Sequence, residues 1–266
     1  MTQQSQLLVS AIVVFDIDGV VRDVSNSYRR AIADTVEQFT QGAYRPSLAD
    51  IDVLKSEGIW NNDWEASQEL IYRYFEAQGQ PRNSLALDYQ EIVRFFQSRY
   101  RGSDPENWTG YICNEPLLLQ SHYLNELSSA GIAWGFFSGA TRGSANYVLE
   151  KRLGLQSPVL IAMEDAPSKP DPTGLIATVQ QLTNNTLDNS TPVVYVGDTV
   201  ADMYTVEKAR SLAPNRVWIG VGVLPPHVQE SPQRRDAYAQ TLKVAGAKVI
   251  FDNVQQLTPR EIQKLV

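Results

Sequence analysis

Carboxylate side chains follow two of the most apolar segments of this sequence. Asp16 and Asp18 come directly after the run AIVVF, and Asp198 and Asp202 come shortly after the run VVYV. Two carboxylates one residue apart, just beyond a strand, project to the same side. Like charges so close are costly unless a cation or a shared proton compensates for them. Each pair alone is also typical of exposed turns, so the pairs become informative only in combination with other groups.

A hydroxyl and a lysine complete the combination. Ser138 and Gly139 follow the apolar run IAWGFF and precede a helical pattern, which places a hydroxyl and a turn of backbone N–H groups where an anion can bind. Lys169, in the segment KPDP, adds a cation before another helix. Taken singly, Ser138 and Asp198 are explained as helix caps and Lys169 as a solvated charge. Four carboxylates, a lysine and a hydroxyl at the ends of successive strands indicate one active site.

The elements that carry these residues alternate along the chain. Short apolar runs rich in β-branched residues predict buried parallel strands. Segments of helical period lie between them, so the sequence predicts an open α/β sheet of Rossmann-like type with functional groups at the carboxyl ends of its strands. The predicted strands are Ala11–Phe15, Ile132–Phe137, Val159–Ala162, Val193–Val196, Val217–Val221 and Lys248–Phe251, and the predicted helices are Leu119–Ala130, Ser144–Leu153, Pro172–Leu182 and Thr199–Ala209.

One interval breaks the alternation. Between residues 22 and 111 there is no strand-like run, but three apolar stripes of helical spacing occur, around Tyr28–Phe39, Leu70–Phe75 and Tyr89–Tyr100. A structureless linker of this length is uncommon. We therefore predict an all-helical domain at 22–111, inserted into a catalytic core formed by 1–21 and 112–266.

In order and spacing, these residues resemble the haloacid dehalogenase superfamily of phosphatases and phosphomutases, in the subgroup with a helical cap inserted after the first strand. The resemblance implies that Asp16 is the nucleophile and Asp18 the partnering acid/base. It also implies that Ser138, Gly139 and Lys169 bind the phosphate. The dehalogenases of the superfamily lack an acid at the position of Asp18, which favours phosphate chemistry over carbon–halogen cleavage.

The resemblance also implies a magnesium site. Asp16, the backbone carbonyl of Asp18, and Asp198 would hold Mg²⁺, and Asp202 would orient these groups rather than bind the metal directly. The cap would supply contacts to the substrate. Lys55, Asn62 and Trp64 are the candidates in a tryptophan-rich segment of the cap. The alternative is a helical corner with Trp60 and Trp64 in the cap core and Asp63 as a helix cap.

The function predicted from these residues is hydrolysis of a small phosphorylated metabolite. A phosphosugar mutase would need the same core groups, and a binding protein on a retained fold is a third interpretation. A net charge of −7 in 266 residues argues against nucleic acid as a partner. The single cysteine excludes a cysteine zinc cluster, and no apolar run is long enough to span a membrane. The start of the chain lacks a signal-peptide pattern, so we expect a cytoplasmic protein. We expect it to be a monomer or a homodimer.

Overall fold

A computed structural model describes residues 9–60, 62–184 and 190–266. The chain divides into two compact units: Val24–Pro116, here called the helical unit, and the segments on either side of it, here called the core unit. The domain boundaries predicted from the sequence, at residues 22 and 111, differ from this division by a few residues. Residues 1–8, on which the expectation of no signal peptide partly rested, and Asn61 lie outside the described residues.

The core unit contains a sheet that has six strands in the described residues, and every neighbouring pair of strands is parallel. The central strand pairs on both sides and is completely buried, which explains why its sequence is apolar at every position. The predicted α/β fold is thus confirmed. The strands are β1 (Ala11–Phe15), β2 (Ile132–Phe137), β3 (Leu160–Ile161), β4 (Val193–Gly197), β5 (Trp218–Val223) and β6 (Val249–Phe251).

The order of the strands positions the site. It runs β3-β2-β1-β4-β5-β6, so the chain progresses to one side of β1 and then returns to the other. Such a reversal opens a crevice at the carboxyl ends of the strands. Asp16 follows β1 and donates its backbone N–H to Val196 of β4 at 2.8 Å, and Asp198 follows β4. Asp16 and Asp198 therefore flank the point at which the strand order reverses.

The helical unit is built on the predicted apolar stripes. Helix α1 packs against α3 and α4, and Ile32, Ile71 and Phe96 from these three helices are buried. Helix α2 begins at a capping box formed by Ser47 and Asp50. The helices are α1 (Tyr28–Phe39), α2 (Leu48–Ser56), α3 (Asp63–Ala77) and α4 (Tyr89–Tyr100), with 3₁₀ turns at Arg82–Ser84 and Tyr111–Asn114.

The helices of the core unit cover the sheet. They are α5 (Ser121–Ser129), α6 (Arg142–Asn146), α7 (Thr173–Leu182), α8 (Val200–Leu212), α9 (Pro232–Val244) and α10 (Pro259–Leu265), with 3₁₀ turns at Pro226–Val228 and Val254–Gln256. The helix predicted from Ser144 to Leu153 is in fact two pieces, because α6 passes into a π-helical turn at Tyr147–Arg152. Apolar spacing does not distinguish these two hydrogen-bond patterns. None of the described helices combines the length and apolar character required to cross a membrane.

Candidate active site

The chain turns back on itself immediately after β1. The backbone N–H groups of Val21 and Arg22 donate to the carbonyl oxygen of Ile17 at 2.7 and 3.2 Å. Gly19, within this turn, has a φ of +76°, which glycine adopts without strain. A Cβ atom added to Gly19 would lie 2.1 Å from Oδ2 of Asp198. The turn after β1 therefore lies directly against the carboxylate that follows β4, and only a glycine leaves room for it.

Lys169 joins two of the predicted carboxylates. Its Nζ atom lies 2.8 Å from Oδ1 of Asp16 and 2.7 Å from Oδ1 of Asp202. The rings of Phe137 and Tyr195 lie 5.3 and 5.5 Å from the same nitrogen. All three charged side chains are at most 9 % exposed. Burial opposes the charge of Lys169, but the two carboxylates raise its pKa, so the lysine is a fixed cation.

Both carboxylate oxygens of Asp202 are held by donors of the protein itself. Oδ1 accepts hydrogen bonds from the Tyr195 hydroxyl at 2.9 Å and from Lys169. Oδ2 accepts from the Thr199 hydroxyl at 2.6 Å and from its backbone N–H at 3.0 Å, as part of the capping box that begins α8. Burial opposes ionisation of Asp202, but Lys169 and Thr199 hold its pKa below the usual range. This arrangement suits Asp202 to orient Lys169 rather than to bind a metal.

Three carboxylates crowd the site around a single lysine. Asp16, Asp198 and Asp202 each place an oxygen atom within 4.8 Å of the others. Burial raises the pKa of Asp16 to about 7, the carboxylates of Asp202 and Asp18 raise it too, and Lys169 opposes them. Burial, together with Asp202 and Asp16, also raises the pKa of Asp198 well above its usual value. A hard divalent cation would compensate for the excess negative charge. Because Asp202 is occupied by its own donors, Asp16 and Asp198 are the side chains that fit such a cation.

Ser138 and Gly139 lie at the carboxyl end of β2, next to the end of β1. Ser138 is buried, its backbone N–H donates to Ile161 at 3.0 Å, and its Oγ accepts from the N–H of Ala140 at 3.1 Å. Gly139 is exposed, and an added Cβ atom there would contact nothing. Ser138 is not the cap of the following helix, because the N-cap of α6 is Thr141. Its hydroxyl orders the turn instead.

Two buried groups were not found by sequence reasoning. Arg22 is completely buried, and its Nε and Nη2 atoms lie 2.7 and 2.6 Å from Oδ1 of Asp18. Tyr195, inside β4, donates to Asp202 as described. A signal existed for both: a tyrosine within an otherwise aliphatic strand needs a partner for its hydroxyl, and an arginine after two valines needs a carboxylate if it is buried. The sequence alone does not say which partner each one takes.

The three candidates of the helical unit have local partners. Lys55 forms an ion pair with Asp63 at 2.7 Å, and the side-chain oxygen of Asn62 caps α3 by accepting from the N–H groups of Trp64 and Glu65. The alternative in which Asp63 caps this helix is therefore wrong, since Asn62 does so. Trp64 is half-buried, which matches neither a fully packed core residue nor a free surface residue. The substrate contacts of Lys55, Asn62 and Trp64 remain predictions.

The site described above falls within a known sequence family. A family model for haloacid dehalogenase-like hydrolases matches residues 11–210, a range that contains Asp16, Lys169 and Asp202. The chain belongs to this family. The resemblance inferred from the motifs is thus confirmed.

Comparisons with individual proteins support the same fold. Phosphatase Tt82 from Thermococcus thioreducens is 23% identical, with a TM-score of 0.60, over 75% of this chain and 88% of that one. A phosphonoacetaldehyde hydrolase-like protein from Oleispira antarctica is 15% identical, with a TM-score of 0.66, over 100% and 96% of the two chains. An imidazoleglycerol-phosphate dehydratase from Phytophthora nicotianae is 29% identical over 245 residues, which is 90% of this chain. The chain spans about half (49%) of that relative's length, so the dehydratase activity is not transferred to it.

Proposed function

We propose that this haloacid dehalogenase-like hydrolase is a magnesium-dependent phosphatase, which hydrolyses a small phosphate monoester through an aspartyl-phosphate on Asp16. The observation that carries the proposal is the buried lysine between two carboxylates. Lys169 lies within 2.8 Å of both Asp16 and Asp202 at the carboxyl edge of the sheet. A fixed cation beside a nucleophilic carboxylate is what an incoming phosphate dianion requires, because otherwise the two anions repel each other.

The first half of the reaction transfers the phosphoryl group. A carboxylate oxygen of Asp16 forms a bond to phosphorus, and the bond between phosphorus and the leaving oxygen breaks. Asp18, in its acid form, gives its proton to that oxygen, so the product leaves as an alcohol. Lys169 and the groups at the Ser138 turn hold the phosphoryl oxygens while the charge moves.

The second half regenerates the enzyme. Asp18, now a carboxylate, takes a proton from a water molecule, and the resulting oxygen forms a bond to phosphorus. The bond between phosphorus and Asp16 breaks, which returns Asp16 to its carboxylate form and releases inorganic phosphate. Asp18 ends with the proton that it held at the start, so the cycle is balanced.

Magnesium, held by Asp16, Asp198 and the carbonyl of Asp18, would supply Lewis-acid compensation for the charge of the nucleophile and the phosphate. The chain's own residues support such a site. Lys169 binds Oδ1 of Asp16, and the turn at Gly19 lies against the carboxylate of Asp198. The oxygens of Asp202 are engaged by Tyr195, Lys169 and Thr199, which leaves Asp16 and Asp198 as the proposed metal ligands.

The proposal is tested by phosphate release from a panel of phosphorylated metabolites, with magnesium and after chelation. Because imidazoleglycerol phosphate is a phosphate monoester, imidazole-bearing esters belong in the panel beside phosphoglycolate and sugar phosphates. We expect one free phosphate per turnover, and no turnover after chelation. An isomerised phosphosugar without free phosphate would favour the mutase instead. An absence of any turnover across the panel would contradict both enzymes.

Substrate selection is proposed to involve Lys55, Asn62 and Trp64. Lys55→Ala and Trp64→Ala should lower kcat/KM for the best metabolite about tenfold or more, and leave p-nitrophenyl phosphate nearly unchanged. Asn62→Asp is the matched control for helix capping, because aspartate keeps the capping oxygen. A lower kcat/KM for Asn62→Asp at an unchanged melting temperature would assign the amide to the substrate. If kcat/KM fell equally for the metabolite and for p-nitrophenyl phosphate, the three residues would have no role in substrate selection.

A further inference from the structure

An arginine that no part of the proposed mechanism uses lies beside the acid/base residue. Arg22 has no exposed surface, and two nitrogen atoms of its guanidinium group, Nε and Nη2, lie 2.7 and 2.6 Å from one oxygen atom of Asp18, Oδ1. The side chain of Asp18 is 30% exposed. A fully buried guanidinium is thus directed at a carboxylate that still faces solvent in part.

The backbone around Arg22 is fixed from both directions. Its carbonyl oxygen accepts from the N–H of Gly19 at 2.9 Å, and its own N–H donates to Ile17. Arg22 also forms isolated β-bridges with Asp18 and with Leu117, where the chain returns to the core unit. An arginine held in this way loses little further conformational freedom when it binds a carboxylate, and here both nitrogen atoms meet the same oxygen, which they hold in place.

We propose that Arg22 is a positioning residue for Asp18. The guanidinium anchors Oδ1, and this presents Oδ2 to the leaving oxygen in the first half of the reaction and to water in the second. The inference rests on the proposed phosphatase function and names a residue that acts through Asp18 without contacting the substrate. A merely structural arginine would be expected to support the turn but to have no selective effect on proton transfer.

Leaving-group chemistry distinguishes these two roles. An alkoxide leaves only with a proton from the acid, whereas p-nitrophenolate leaves without one. The quantity to compare is kcat/KM, because it covers the steps up to formation of the aspartyl-phosphate and excludes its hydrolysis. A defect in the positioning of Asp18 therefore lowers kcat/KM for an alkyl phosphate and spares p-nitrophenyl phosphate.

The experiment uses the full chain with Arg22→Met and Arg22→Lys, and takes Arg216→Met as the matched control. Arg216 is another buried arginine of the core unit, at 6 % exposure, and donates to the carbonyl of Thr191. We expect Arg22→Met to lower kcat/KM for an alkyl phosphate about 100-fold and for p-nitrophenyl phosphate less than about fivefold. The kcat/KM of Arg22→Lys for the alkyl phosphate should lie between the values of wild type and Arg22→Met, and this variant provides the test if Arg22→Met does not fold. Arg216→Met should change kcat/KM for the two esters by the same factor.

A double variant checks that Arg22 acts through its partner. Adding Arg22→Met to Asp18→Asn should cause no further loss on the alkyl ester, because the residue to be positioned is already gone. Equal losses on the two esters, or losses that multiply in the double variant, would overturn the inference while the phosphatase function stands. A wild-type protein that hydrolyses neither ester would overturn the phosphatase function and, with it, the role of Arg22.

Discussion

At the scale of single residues, the site is defined by an imbalance of charge. Asp16, Asp198 and Asp202 share a buried region in which Lys169 is the neighbouring cation. The protein fully satisfies Asp202 and leaves Asp16 and Asp198 with raised pKa values. An ion pair in such a place costs desolvation energy and is poor evidence of a stabilising role. The proposed phosphatase chemistry, in contrast, needs an anion and a cation side by side.

The hydroxyl of Tyr195 tests how firmly Asp202 is held. Tyr195→Phe keeps the aromatic ring and removes the donor that lies 2.9 Å from Asp202. Loss of a buried hydrogen bond to a charged group should lower the free energy of unfolding by about 1.5–3 kcal/mol. Tyr204→Phe is the matched control, because Tyr204 is 47% exposed and its hydroxyl is expected to contribute little. Urea unfolding of both variants measures the difference, and equal midpoints would show that the bond to Asp202 contributes nothing.

At the scale of elements, the turn after β1 and the start of α8 bring the site together. The turn after β1 lies against the residue after β4 through Gly19, and the capping box of α8 orients Asp202. The carboxylate of Asp202 thus has two roles: it completes the capping box at the start of α8, and it binds Lys169. A change in the turn or in the helix start is therefore expected to reach Asp198 or Lys169 and not only the local backbone.

Gly19→Ala separates backbone strain from crowding at the site. The substitution places a methyl group 2.1 Å from Asp198 at a φ of +76°. Gly154→Ala is the control, since Gly154 has a φ of +74° and nothing within 4 Å of an added Cβ atom. Both variants should lose about 1–2 kcal/mol of stability from the left-handed backbone. Only Gly19→Ala should also raise the magnesium concentration for half-maximal activity, by about tenfold or more. Equal magnesium requirements would mean that Asp198 tolerates the displacement.

Some features of these elements could be predicted from the sequence, and others could not. The strands and the positions of Asp16, Lys169 and Asp202 were predictable, because parallel strands that end in polar residues bring those residues to one edge. The partner of Arg22 was not, since its side chain folds back over a turn whose shape depends on Gly19 and Arg22 together. The capping role of Asn62 was missed for a similar reason: Asp63 beside it has an equal intrinsic preference for that position.

At the scale of the whole molecule, the charge imbalance predicts a link between pH, magnesium and stability. A carboxyl group whose pKa is raised in the folded protein favours folding at low pH, and that contribution is lost as the pH rises through the folded-state value. Asp16, with a pKa of about 7, and Asp198, also raised, behave in this way. The lowered pKa of Asp202 acts in the opposite sense, but only below the usual range for aspartate.

We therefore expect the metal-free protein to lose stability between about pH 4 and pH 7, and magnesium to restore more of it at the higher pH. At a concentration about 100 times its dissociation constant, magnesium should add about 2.7 kcal/mol. Melting temperatures with and without magnesium across this range measure the effect, and Asp198→Asn should reduce it. A magnesium increment that is the same at every pH would contradict the account of the carboxylates.

The central claim is that Asp16 becomes phosphorylated, and rapid acid quenching after a single turnover tests it most directly. With a substrate that carries a labelled phosphoryl group, we expect label on the peptide that contains Asp16, removed by hydroxylamine as an acyl phosphate should be. Asp16→Asn should carry no label and should lose several orders of magnitude in kcat while remaining folded. Label on any other residue, or a variant that keeps a tenth of wild-type phosphate release, would contradict the assignment of Asp16.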